Sequence, residues 1–198
     1  MVIVTVLRSG GEYGPAHVRR LKAQIQRHTS KTFLFVCLSD VRIEGVVTVP
    51  MQENWPTWFS KIELFRHFKE AFYLDLDTTI VGDITEMIEH DHVFTMLSDL
   101  GGRPFPTSGM MAWKGDFSGI TQAFAENPDK HMRECTKHAC WGDQGFIAKH
   151  INPCSFQRMW PGAIVSYKYD CKNGVPENAK VVCFHGKPRP WDIEELNV

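Results

Sequence analysis

Two aspartates one residue apart, at the end of an apolar run, carry the most chemistry in this sequence. The segment reads Tyr73-Leu74-Asp75-Leu76-Asp77-Thr78-Thr79-Ile80-Val81. Side chains alternate along a strand, so a strand continuing through it points Asp75 and Asp77 the same way. Two carboxylates held together repel, by ~1 kcal/mol at 4 Å in bulk water and ~4 kcal/mol at a surface-like effective dielectric. A hard divalent cation is the simplest compensation, because Mg²⁺ and Mn²⁺ prefer carboxylate oxygen. The plainer reading is that one Asp caps the next turn and the other is solvated. An isolated Asp-x-Asp does not decide between the two.

Other residues invite weaker chemistry. Gly10-Gly11-Glu12-Tyr13-Gly14 follows the first apolar run but lacks Gly-x-Gly-x-x-Gly spacing, so a dinucleotide site has little support. Arg8 could meet phosphate, Tyr13 could stack on a nucleobase, and Asp40 could bind a ribose. His131, Cys135, His138 and Cys140 have loose metal-like spacing, and a helix over about 129–138 would put the first three on one face. No strong zinc pattern fits them, so a solvated helix with one buried thiol is the preferred reading. Trp141 and Trp160 could stack on sugar faces, although burial is the commoner role of tryptophan.

The elements that must position these residues alternate between strand and helix. Residues 2–7 read as a buried strand. Pro15 opens a helix to about His28, with Val18, Leu21 and Ile25 on one face. Strands follow at Phe33 to Leu38 and Val46 to Val49, then a helix from Trp58 to Lys69 with Thr57 as N-cap. Ala71 to Leu74 is a strand that runs straight into the aspartate pair. Later strands are expected near 93–97, 109–113 and 181–184, and helices near 116–126 and 143–150. This alternation predicts an α/β domain with a mainly parallel central sheet flanked by helices. Such sheets bind ligands at the carboxyl ends of their strands.

Composition narrows the function. The chain has 198 residues, 22 Lys+Arg against 23 Asp+Glu, and a formal net charge of -1. That balance offers no basic excess for a nucleic-acid backbone, so no nucleic-acid partner is expected. With 43% hydrophobic and 23% charged residues the chain is globular rather than disordered. The first apolar run is far short of the ~18–20 residues of a membrane span and lacks the features of a secretory signal. The six cysteines are therefore expected as reduced thiols of a cytoplasmic protein.

Asp-x-Asp-x-Thr after an apolar strand resembles two enzyme motifs: the nucleophile motif of haloacid-dehalogenase-like phosphatases and the metal motif of GT-A glycosyltransferases. The phosphatase motif usually lies on the first strand, whereas about 70 residues precede it here. It also needs a later acidic pair, which Gly142-Asp143-Gln144 does not supply. Further pieces stand in order along the chain: Trp58-Phe59-Ser60-Lys61, Val81-Gly82-Asp83-Ile84, Thr107-Ser108-Gly109, Gly142-Asp143-Gln144 and Phe184-His185-Gly186-Lys187-Pro188. Together they resemble family 8-type GT-A glycosyltransferases, the group around glycogenin and the lipopolysaccharide galactosyltransferases. The likeness is to small bacterial and phage members and covers roughly residues 55–192.

The resemblance implies one GT-A domain over residues 1–198, with a nucleotide-binding half (1–80) and a sugar and acceptor half (81–198). It implies Asp75, Asp77 and His185 as ligands of Mn²⁺ (or Mg²⁺), and Lys187 on the diphosphate. Asp143 and Gln144 would face the donor sugar and reaction centre, beside Ser108 and Gly109, with Lys61 at a basic position near the donor. Arg8 and Tyr13 join the donor side. The implied reaction moves a sugar from a nucleotide sugar, taken as UDP-linked, to a hydroxyl acceptor with retention. Two alternatives stay open: a phosphatase with Asp75 as nucleophile, and a non-catalytic nucleotide-sugar binding module.

Overall fold

The computed structural model describes residues 1–137 and 140–194. Strand β1 (Val2–Leu7) leads through helix α1 (Pro15–Arg27) to β2 (Phe35–Ser39) and β3 (Val47–Pro50). A 3₁₀ turn (Thr57–Glu63) runs into α2 (Leu64–His67), then β4 (Glu70–Leu74), β5 (Thr78–Ile80) and α3 (Thr85–Glu89). Next come β6 (Phe94–Ser98), β7 (Pro106–Lys114), α4 (Ser118–Glu126) and α5 (Pro128–Glu134). A small hairpin of β8 (Thr136–Lys137) and β9 (Cys140–Trp141) precedes α6 (Gly142–Ala148). The chain continues through β10 (Cys154–Ser155), α7 (Phe156–Met159), β11 (Ile164–Ser166), α8 (Tyr167–Asp170) and β12 (Val181–Cys183).

Seven strands form the central sheet in the order β10-β6-β7-β4-β1-β2-β3. β1 is parallel to both β2 and β4, and β2 to β3, whereas β7 is antiparallel to both its neighbours. A second sheet, β11-β12-β5, packs the C-terminal part of the chain against the strand that follows the aspartate pair. The expected mainly parallel α/β sheet is therefore present.

Strand alternation splits the core into two faces. From β1, Ile3 and Leu7 enter one cluster with α1, and Val4 and Val6 enter the other. β4 divides in the same way, Phe72 and Leu74 against Ala71 and Tyr73. The period of two is what strands buried on both faces require. It also settles where the first aspartate goes. Asp75 follows Tyr73 by two residues and accepts a hydrogen bond from its hydroxyl.

Four expectations need correction. The helix over Trp58–Lys69 is instead the 3₁₀ turn followed by the short α2. Every residue from Phe59 to Phe65 is buried, so this segment lies inside the core on all sides instead of presenting one apolar face. Thr57 is not an N-cap, because it sits at φ +49° while Pro56 takes the cap position. The strand does not continue through Asp77. β4 stops at Leu74, and residues 75–78 close a turn in which the Thr78 N–H donates to the Asp75 carbonyl at 3.1 Å. Finally, the helix expected over 129–138 ends at Glu134.

Candidate active site

Arg8, Asp40 and Asp75 each follow directly on a parallel strand, β1, β2 and β4. They lie at the carboxyl edge of the sheet, where a parallel fold leaves its crevice. A cavity of about 770 Å³ opens there, lined by Arg8, Tyr13, Lys61, Asp75, Asp77 and Asp143 among others. A larger cleft of about 980 Å³ lies between α1 and the β2–β3 edge, remote from these carboxylates.

The floor of the cavity is a buried charge network centred on Lys61. Its Nζ lies 3.0 Å from Asp75 Oδ1 and 3.5 Å from Asp143 Oδ2, and donates to Ser108 Oγ at 3.2 Å. Burial alone would push the ammonium's pKa down, but Asp143 and Asp75 outweigh it and hold the pKa above its ordinary value. Asp143 is 4% exposed, and burial raises its carboxyl against the opposing pull of Lys61. Ser108 Oγ donates to Asp143 Oδ2 at 2.6 Å, and the Ser108 N–H points to Gln144 Oε1 at 3.5 Å. The 3₁₀ turn, β4, β7 and α6 thus deliver Lys61, Asp75, Ser108 and the Asp143–Gln144 pair to one spot. Gly109 is part of this assembly through its backbone, since its carbonyl accepts the Asp75 N–H at 2.9 Å. A Cβ there would sit 3.6 Å from Asp75 Oδ2, an ordinary contact, so close approach is not what requires glycine.

The second aspartate is held from the other side. Asp77 Oδ2 accepts from the Tyr13 hydroxyl at 2.8 Å and lies 2.6 Å from Arg189 Nη1. Burial, then the charge of Asp75, raise its carboxyl to about 6. Arg20 on α1 donates to the Leu76 and Thr78 carbonyls, at 3.3 and 3.0 Å, and braces the turn from below. Above it, Arg189 and Lys187 converge on Glu12, at 2.8 and 2.7 Å, so the C-terminal tail is strapped to the glycine-rich loop. Arg189 also lies over the Tyr13 ring, 5.4 Å from its centroid.

His185 does not join the carboxylates. Its Nε2 shares a hydrogen bond with Ser166 Oγ at 2.8 Å. Among the described residues no three His, Cys, Asp or Glu side chains converge as a metal-binding group. The tail residue that feels both aspartates is Cys183, whose thiol is pushed up by burial, then by Asp77 and Asp75. Arg8 takes Asn54 and the Met51 sulfur as partners and stands 3.9 Å from Asp40. Lys187 reaches Glu12 rather than the pair. Sequence reasoning missed Arg189 and Cys183. Trp58 is 48% exposed at the cavity wall beside Trp141, which is 51% exposed. Trp160, by contrast, packs on Phe156. His138 lies outside the described residues.

The architecture matches solved glycosyltransferases. GlyE of Streptococcus pneumoniae TIGR4 superposes with a TM-score of 0.68 at 12% identity over 96% of this chain. The galactosyltransferase LgtC, solved with donor and acceptor sugar analogs, gives a TM-score of 0.63 at 12% identity. The chain has the GT-A glycosyltransferase fold. The bifunctional glycosyltransferase WbbM adds a TM-score of 0.64 at 12% identity. This GT-A chain spans 91% of the LgtC chain but 56% of the GlyE chain and 46% of the WbbM chain. No family model matches the sequence, and no curated protein matches it. Among the described residues no helix is long and apolar enough to cross a membrane.

Proposed function

We propose that this chain is a glycosyltransferase that moves a sugar from a UDP-linked donor to a hydroxyl acceptor with retention, assisted by Mn²⁺ or Mg²⁺. The observation that carries the reading is the network of Lys61, Asp75, Ser108 and Asp143 at the sheet's carboxyl edge, inside a GT-A fold. A hard cation is commonly held by one or two carboxylates plus substrate phosphates and water. Asp75 and Asp77 fit that pattern without a third protein ligand. The raised carboxyl of Asp77 is a group whose charged form a cation favours. The ion would supply positive charge against the diphosphate as it leaves.

The chain's own residues do the rest. Lys187 and Arg189 sit at the mouth, where they can exchange Glu12 for phosphate oxygens. Lys61 bridges Asp75 and Asp143 in a buried setting, so the two carboxyl groups are held in place before the donor arrives. Asp143 faces the region where positive charge develops on the anomeric carbon, and Gln144 offers its amide beside it. Trp58 and Trp141 give the acceptor side flat apolar walls.

The fold favours sugar transfer over the phosphatase alternative, because the structures that superpose on the chain are glycosyltransferases.

Calorimetry with UDP and Mn²⁺ tests the proposal. Asp75→Asn and Asp77→Asn should each abolish Mn²⁺-dependent UDP binding while circular dichroism stays unchanged. Undiminished affinity in both variants overturns the reading. Donor binding with neither transfer nor slow donor hydrolysis would instead identify a binding module.

A further inference from the structure

One pair of side chains outside the donor network is placed for covalent chemistry. Cys135 precedes β8 and Cys140 opens β9, and their Sγ atoms lie 2.7 Å apart. A disulfide bond is about 2.05 Å long, so the sulfurs need move by only about 0.7 Å to bond. The backbone holds them there independently of the sulfurs. Lys137 pairs with Cys140 and Thr136 with Trp141, and the Gly142 N–H donates to the Cys135 carbonyl at 2.8 Å. Two thiolates sharing a tetrahedral zinc, at about 2.3 Å each, would stand roughly 3.8 Å apart, so this spacing suits a bond better than a shared metal.

The two thiols differ in the way an exchange reaction needs. Cys135 is 2% exposed, and its thiol is pushed up to about 12 by burial first and by Cys140 second. Cys140 is half-buried and therefore the more accessible of the two, with the Lys149 ammonium beside it. Cys140 also bears directly on α6. A Cβ added to Gly145 would lie 2.6 Å from the Cys140 carbonyl carbon and 3.0 Å from its sulfur. Any shift of Cys140 is therefore transmitted to the helix that carries Asp143 and Gln144.

We propose that Cys135 and Cys140 form a reversible thiol–disulfide pair whose oxidation fixes the seating of α6. That this tunes donor binding rests on the function proposed above. The oxidant class is a small disulfide such as oxidised glutathione. The Cys140 thiolate attacks one of its sulfurs, forming a mixed disulfide and expelling one thiolate. Cys135 then attacks Cys140 Sγ, closing the protein disulfide and expelling the second. Two electrons pass to the small disulfide, and the two protein thiol protons end on the two released thiols.

The experiment uses the unmodified chain in glutathione buffers of varied ratio, followed by alkylation, peptide mass mapping and hydrogen exchange. Oxidising buffer should yield a peptide joined through Cys135 and Cys140, with neither alkylated. Amides of α6 should then exchange roughly tenfold more slowly than in reducing buffer. Cys140→Ser should show no redox-dependent change in α6. The proposal is overturned if both cysteines alkylate in every buffer, if a different pair joins, if α6 exchange is the same in both states, or if EDTA alone exposes a protected pair. UDP calorimetry in both redox states separates the two readings. A disulfide that forms and slows α6 while UDP binds in neither state supports the thiol pair and defeats the donor site.

Discussion

Asp77 is bound by a guanidinium where the proposed reaction needs a metal ion. Arg189 and a divalent cation both place positive charge against the Asp77 carboxylate and repel each other there, so they compete. Arg189→Ala should therefore tighten Mn²⁺ binding in the absence of nucleotide, by roughly tenfold for a contact worth about 1.4 kcal/mol. The same variant should weaken UDP binding at saturating Mn²⁺, because a phosphate partner is gone. Calorimetry with Mn²⁺ alone and then with UDP separates the two effects, and weaker binding of Mn²⁺ alone would contradict the competition. Lys61 carries a different expectation. Its removal leaves Asp75 and Asp143 without their shared cation, and Asp143 is nearly fully buried. Lys61→Met should cost about 3 kcal/mol of stability, read from urea unfolding midpoints. At this scale the sequence was partly legible. Lys61, Asp75, Asp77, Ser108, Asp143 and Gln144 are close enough in type and order to be picked out, and they line one cavity. Arg189 was not, because nothing local to Pro188-Arg189-Pro190 shows that the tail folds back 112 residues onto Asp77. His185 is a ligand by the family resemblance of the tail alone, yet its partner is Ser166, a neighbour created by the second sheet.

Elements decide which of these residues meet. α6 begins at Gly142 with φ +59°, and a Cβ there would lie 2.8 Å from Trp58 Nε1. Gly142→Ala should therefore lose about 1–2 kcal/mol to left-handed strain. It should also displace Trp58, seen as a change in indole emission; an unchanged urea midpoint would show that α6 tolerates the side chain. The strap between tail and glycine-rich loop has its own signature in pH. Arg189 and Lys187 hold the Glu12 carboxyl down at about 2, against its ordinary 4.5. A depressed folded pKa means the contact contributes fully above about pH 4.5 and is lost as pH falls toward 2. Glu12→Gln should lower hydrogen-exchange protection at residues 187–191 at neutral pH. The wild-type tail should show that loss only in acid. The strands were legible because a strand buried on both faces is a short continuous apolar run, as in Ile3, Val4, Val6 and Leu7. The 3₁₀ turn was not, because apolar spacings of three and four are hard to tell apart over seven residues.

Over the whole molecule, the crevice at the sheet's carboxyl edge joins parts of the chain far apart in sequence. β1, β4, β7, α6 and the tail each give it a side chain, so a ligand there binds the folded chain and not the unfolded one. The formal charge of -1 provides no long-range positive field, and the cations lining the crevice are Arg8, Lys61 and Arg189, with Lys187 beside it on Glu12. Binding should then appear chiefly as stabilisation by mass action. A ligand at a hundred times its Kd stabilises by about 2.7 kcal/mol. In a domain of this length each kcal/mol moves Tm by roughly 2–4 °C. UDP with Mn²⁺ should accordingly raise Tm by about 5–11 °C at that concentration. UDP with EDTA should fall well short of this, because Asp75 and Asp77 then face the diphosphate uncompensated. A screen of nucleoside diphosphates with Mn²⁺ ranks the bases on the same axis. An equal shift with and without the metal would assign charge neutralisation to Lys61 and Arg189 alone.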